Sequence, residues 1–97
     1  TVANNGGAHI YHQYTIRVKN RDSLAKGLTA AGIGNSVYYP LCLHHQECFS
    51  DLGYAEVEEL CPHAVCAANQ ALSLPIYPEL SEYDQRRVVE VIHKLLA

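Results

Sequence analysis

The run Tyr38-Tyr39-Pro40-Leu41-Cys42-Leu43-His44-His45-Gln46 crowds phenol, imidazole and thiol groups into a single stretch. Folding alone demands no such crowding. A binding cleft, a metal site or a contact between domains would use it. A zinc ion takes four thiolate or imidazole ligands in a tetrahedron. Cys42, His44, His45 and Cys48 lie close in sequence, and Cys61, His63 and Cys66 form a second group. Neither group has the paired Cys-x-x-Cys form, and on a helix Cys61 and Cys66 point to different faces. A ligand set of Cys42, His44, Cys48 and Cys61 is therefore the lesser alternative. The primary expectation is no metal and four reduced thiols, packed as small hydrophobes. No secretory context argues for disulfides.

The elements that would position this run can be read from periodicity. Ile10, His12, Tyr14, Ile16 and Val18 alternate with Tyr11, Gln13, Thr15, Arg17 and Lys19, which predicts a half-buried strand from His9. On that face His12 reads as a core histidine bonded to a backbone carbonyl. Asp22 then caps a helix through Ala31, with Leu24, Leu28 and Ala31 inward. Gly32 is placed to end it in a left-handed turn, with Ile33 as the apolar contact behind. Gly27 inside this helix costs up to about 1 kcal/mol relative to alanine. Residues 35–39 read as a second strand stopped by Pro40. A short helix spans roughly His45 to Asp51 and stops at Gly53, and Glu58 to Gln70 reads as a helix with Pro62 in its first turn. Ala71 to Ile76 reads as a third strand with Pro75 near its end. Ser81 and Asp84 make a capping-box variant before a helix from Glu82 to Leu96, whose apolar stripe is Val88, Val91, Ile92 and Leu95.

The sequence thus predicts an α/β (α+β) domain of order βαβαβα. It would have about three strands in one sheet, with helices largely on one face. Residues 1–8 read as a flexible lead-in and residues 9–97 as the domain. At 97 residues there is room for one domain that buries roughly two-thirds of its unfolded surface. The net charge is −3 and the seven Lys and Arg form no basic stripe, so nucleic-acid binding is not expected. No apolar run reaches the roughly 18–20 residues of a membrane span, and no signal-peptide pattern opens the chain. There is no methionine, so the chain is expected to be a processed product or a piece of something longer.

Several segments resemble, in order and spacing, the C-terminal part of the DegT-type nucleotide-sugar aminotransferases. They are Tyr11-His12-Gln13-Tyr14, Arg21-Asp22 with Leu24, Val37-Tyr38-Tyr39-Pro40, Leu43-His44 with Gln46, Leu52-Gly53-Tyr54, and Leu72-Ser73-Leu74-Pro75-Ile76-Tyr77-Pro78-Glu79-Leu80. The resemblance runs from His9 to the end, and its last segment is the most specific. It implies the small C-terminal domain of a pyridoxal-phosphate enzyme of the aspartate-aminotransferase fold. Such enzymes move an amino group, usually from glutamate, to a nucleotide-linked keto-sugar, and they work as cytoplasmic dimers. It further implies that Tyr38, Tyr39 and His44 face the substrate cleft. Four positions depart from the family's usual pattern: Cys42 and Glu47 where proline is common, His45 where an apolar residue is common, and Val65 where glutamate is usual.

The resemblance also marks what is missing. Cofactor chemistry needs a Schiff-base lysine and an acidic partner for the pyridine nitrogen. Lys19, Lys26 and Lys94 lie in no such context. The expectation is therefore no catalytic residue and no cofactor in this chain alone, with pyridoxal phosphate held by a large domain elsewhere. The expected partners are that domain or a second copy covering an exposed apolar patch, with a nucleotide sugar as ligand. The alternative is a free-standing, non-enzymatic binding or protein-interaction module.

Overall fold

The computed structural model describes residues 6–57 and 60–97. Two short strands, β1 (Tyr14–Arg17) and β2 (Ala71–Leu74), pair antiparallel with Tyr14 opposite Leu74 and Arg17 opposite Ala71. Three α-helices surround them: α1 (Arg21–Ala30), α2 (Pro62–Gln70) and α3 (Glu82–Leu96). Leu24 and Leu28 of α1, Ile33, Leu72 and Val88 form the buried core, with Ile16, Val18, Leu74, Val91 and Ile92 packed around it. Arg17, on the opposite strand face, reaches α2, where its Nη2 donates to Cys66 Sγ (3.2 Å) and Gln70 Oε1 (3.1 Å).

The expected three-stranded sheet is a two-stranded ladder with one added bridge, between Ser36 and Ser73. These two serines exchange both backbone hydrogen bonds, at 3.1 and 2.8 Å. Extending that bridge would require the same edge of β2 two residues away on either side. On one side the Ala71 N–H is taken by the Ala67 carbonyl that ends α2, and the Ala71 carbonyl accepts from Arg21 Nη1 at 2.9 Å. On the other side Pro75 has no N–H to give. Only Ser73 is left with both groups free, so residues 35–39 make no strand. β1 pairs with β2 only as far as Tyr14 opposite Leu74. Residues 9–13 are accordingly not strand, and Tyr11 sits at φ 49°.

Helix ends follow local chemistry. Ser81 caps α3 by accepting from the Asp84 N–H at 3.1 Å, and its hydroxyl donates to the Asp84 carboxylate at 2.7 Å. At the end of α1 the Gly32 N–H reaches the Thr29 carbonyl (3.0 Å) and the Ile33 N–H reaches that of Leu28 (2.9 Å). This is the paired closure that Gly32, at φ +75°, permits. The α1 start differs from expectation. Asn20 occupies the cap position, and the Asp22 carboxylate is engaged by Arg21 instead. Helix α2 begins at Pro62, and the expected start at Glu58-Glu59 lies outside the described residues. The expected helix near His45 is a series of tight 3-10 turns at Leu43–His45, Glu47–Leu52 and Tyr54–Glu56, with Gly53 left-handed between the last two. Of the expected lead-in, residues 1–5 also lie outside the described residues.

Two positions carry measurable consequences. Arg21 is buried, and its Nη1 donates to the carbonyls of Ala68 and Ala71. Hydrogen bonds from a charged donor contribute about 1.5–3 kcal/mol. Arg21→Ala is expected to lower stability by about 3 kcal/mol in urea unfolding, whereas Asp22→Asn, at the solvent-exposed end of the pair, costs less than about 1 kcal/mol. Gly27 faces α3, where an added Cβ would meet Leu95 Cδ1 at 2.7 Å. Gly27→Ala is expected to gain up to about 1 kcal/mol of helix propensity in a Leu95→Ala background and less than about half of that in the wild type. A double-mutant cycle with additive effects would contradict the close approach.

Candidate functional site

A cleft of about 620 Å³ opens beside the Ser36–Ser73 bridge. Its walls are the turn after α1, the segment leaving β2 as far as Leu80, the first turns of α3, and His12-Gln13 ahead of β1. Three of these walls are held by hydrogen bonds. Asn35 Nδ2 donates to the Ile33 carbonyl (3.1 Å) and to Thr29 Oγ1 (3.1 Å), clamping the first wall onto α1. The Leu80 N–H returns to the Tyr77 carbonyl (3.1 Å), closing a turn with Pro78 at its second position. Arg87 Nη2 donates to the Ala31 carbonyl at 3.2 Å, tying α3 to the end of α1. Beneath the cleft Thr15 and Ser73 share a side-chain hydrogen bond at 2.8 Å, which satisfies the buried Ser73 hydroxyl.

The lining combines the phenols of Tyr38 and Tyr77, the His12 imidazole, the Asn35 amide, the Asp84 carboxylate and the Arg87 guanidinium. These groups can donate, accept and stack. None is paired with a neighbouring base in the way that activates a nucleophile. The arrangement suits binding rather than covalent chemistry. Lys19, Lys26 and Lys94 are exposed and none lines the cleft, so this chain's residues do not fit a Schiff-base site.

The three expected substrate residues separate. Tyr38 lines the cleft. Tyr39 is 70% exposed and meets the Tyr38 ring edge-on, with centroids 5.7 Å apart. His44 lies farther along, in the first 3-10 turn, its ring tilted 48° to that of His45 with centroids 4.0 Å apart, and its Nε2 is buried without a partner. His12, expected in the core, is exposed and lines the cleft, because β1 starts only at Tyr14. Arg87, Asp84 and Tyr77 were not singled out as lining residues. Asp84 reads in sequence only as part of a cap, and nothing local marks the cleft it shares with Arg87.

The cysteines do not assemble. Among the described residues no three His, Cys, Asp or Glu side chains converge on a metal position, so Cys42, His44, Cys48 and Cys61 form no ligand set. All four thiols are free. Cys42 is half-buried, and Cys48, Cys61 and Cys66 are exposed, which corrects their reading as buried hydrophobes. Among the described residues no helix is long and apolar enough to cross a membrane.

Residues 1–93 match the model of the DegT/DnrJ/EryC1/StrS aminotransferase family. The chain is 52% identical over 87 residues to a pleiotropic regulatory protein of Geobacillus stearothermophilus, covering 90% of this chain and 23% of that protein. It is 37% identical over 91 residues to the UDP-N-acetyl-3-dehydro-alpha-D-glucosamine 3-aminotransferase of Acidithiobacillus ferrooxidans, covering 94% of this chain and 24% of that enzyme. Among solved structures, it superposes on Streptomyces venezuelae DesV in complex with a ketimine intermediate with a TM-score of 0.77 and 34% identity. That match covers 87% of this chain and 22% of DesV. A Brucella abortus aminotransferase gives a TM-score of 0.72 and 36% identity, with 84% and 21% covered. The chain therefore spans less than a quarter of the length of each of these proteins. By sequence and by fold, it belongs to the DegT/DnrJ/EryC1/StrS aminotransferase family.

Proposed function

We propose that residues 9–97 are the small domain of a sugar aminotransferase and supply one wall of its substrate site. The observation that carries this is the family match over residues 1–93, joined to a cleft with polar and aromatic lining but no lysine. The substrate class is a keto-sugar linked to a nucleotide. Supporting it, the Acidithiobacillus relative is a UDP-sugar aminotransferase and a Streptomyces venezuelae relative, 34% identical over 85 residues, is a dTDP-sugar transaminase. Glutamate is the expected amino donor, as it is for a Bacillus subtilis relative that aminates 3-oxo-glucose 6-phosphate. Tyr38 contacts the sugar from the cleft, and Tyr39 and His44 complete the contact from the adjoining loop. The unpartnered His44 Nε2 supports that role, since a buried nitrogen without a hydrogen bond costs about 1–3 kcal/mol until something pairs with it. Pyridoxal phosphate and its lysine belong to the part of the enzyme that this chain does not match, so the chain is not catalytic alone. The whole enzyme is expected to act as a dimer in the cytoplasm.

Exchanging this chain for the matching segment of the Acidithiobacillus enzyme tests the reading. The graft is expected to aminate its UDP-keto-sugar, while the 97-residue chain with added pyridoxal phosphate gives no turnover. Tyr38→Ala in the graft is expected to lower kcat/KM roughly tenfold, the size of one lost hydrogen bond. Turnover by the chain alone, or a folded graft without activity, would refute the assignment.

A further inference from the structure

Asp84 is the one carboxylate and Arg87 the one guanidinium among the groups that line the cleft, and their commitments differ. Asp84 is taken up by the start of α3, where its carboxylate accepts from the Ser81 hydroxyl at 2.7 Å and its charge faces the positive end of the helix. Arg87 makes no ion pair among the described residues. Its Nη2 is tied to the Ala31 carbonyl at 3.2 Å, which leaves the donors on Nη1 and Nε uncommitted. That tie sets the guanidinium beside the turn leaving α1. Along this turn the Ile33 and Ser36 N–H groups reach backbone acceptors, and those of Gly34 and Asn35 do not. A Cβ built on Gly34 would meet nothing within 4 Å, so the backbone there lies open. The Ser36 hydroxyl follows on the same wall.

The corner between the α1 turn and α3 is therefore rich in donors and holds no free acid. A guanidinium presents its N–H groups in a fixed plane, and successive backbone N–H groups add partial positive charge from a second side. Donors on two walls suit a group whose acceptor oxygens point in several directions. A carboxylate has two oxygens in one plane and would leave one wall unmatched. A phosphate turns three oxygens outward and can meet the fork and the backbone together. Tyr38 lines the same cleft, so a ligand carrying both a phosphate and a ring could reach the corner and the phenol at once.

We infer that Arg87, with the N–H groups of Gly34 and Asn35, forms a phosphate subsite at this corner, distinct from the sugar contact given to Tyr38. The ligand class is a phosphate ester. Its oxygens accept from the guanidinium and from the two N–H groups, and the Ser36 hydroxyl is a further donor. The subsite is a property of this chain alone. That its phosphate belongs to a nucleotide-linked sugar rests on the small-domain reading above.

Amide NMR titrations of the 97-residue chain with inorganic phosphate, UDP and L-glutamate, at constant ionic strength, test it. Phosphate is expected to shift the Gly34 and Asn35 resonances saturably. Arg87→Gln is expected to weaken that binding roughly tenfold, the size of a lost charge-assisted hydrogen bond. Arg87→Lys keeps the charge without the fork and should weaken it only about threefold. Asp84→Asn removes the neighbouring negative charge and should tighten it about twofold. Should Arg87→Gln fail to fold, the opposite signs expected of Arg87→Lys and Asp84→Asn carry the test. Shifts scattered over Arg17, Lys19 and Lys26, or a phosphate affinity unmoved by these variants, would overturn the inference. Tighter binding of glutamate than of phosphate overturns the choice of ligand class. UDP binding at least roughly tenfold tighter than phosphate, with the excess lost in Tyr38→Ala, supports the nucleotide as the phosphate's source. Equal binding of the two keeps the subsite and removes that source. If the Acidithiobacillus graft fails to transaminate, phosphate binding by the isolated chain still stands. An active graft of a chain that binds no phosphate keeps the small-domain reading and removes the subsite.

Discussion

The Arg21 guanidinium is the constraint on which the rest of the domain hangs. It sits buried at the start of α1 and holds two carbonyls, one in the last turn of α2 and one at the first residue of β2. Helix α2 runs directly into β2 with no intervening loop, so its last carbonyls would otherwise face a junction with little room for water. A charged, forked donor satisfies more than one of them from a single side chain. The same contact fixes α1 over the sheet, and that sets where Leu24 and Leu28 meet Leu72. By occupying the Ala71 carbonyl, Arg21 also limits the strand expected at residues 35–39 to one bridge. The cleft opens beside that bridge.

How much of this could be read in advance depended on where each determinant lies along the chain. Helix α3 matched the expected Glu82 to Leu96 because its cap, stripe and basic end are all local. The α1 end was legible for the same reason, since Gly32 and Ile33 adjoin the turn they close. The strand expected at residues 35–39 shrinks to one bridge because its limits are set elsewhere, by a guanidinium fourteen or more residues upstream and by Pro75 just after β2. The start of β1 failed likewise, as the alternation of residues 10–18 continues past the point where β2 can pair. Arg21 itself left a trace, for it stands three residues before Leu24 and seven before Leu28 on the inward stripe.

The candidate site was half legible. A crowded run from Tyr38 to Gln46 signalled recognition, and the structure divides that run between the cleft and the first 3-10 turn. The remaining lining groups come from the α1 turn, the β2 exit and α3, and only packing brings them together. Gly27 shows the converse case. In sequence it is a helix-weakening residue, and in space it is the gap that lets Leu95 lie against α1.

The Ser36–Ser73 bridge has an evolutionary corollary. On its N-terminal side the segment of 3-10 turns is hydrogen-bonded to the sheet through that bridge, and no residue of its turns is fully buried. Sequence change there barely touches the free energy of the core. Three of the four departures from the pattern that the resemblance implies, Cys42, His45 and Glu47, fall within it. The fold thus separates a packed core from a segment whose surface side chains can change at little cost to foldability.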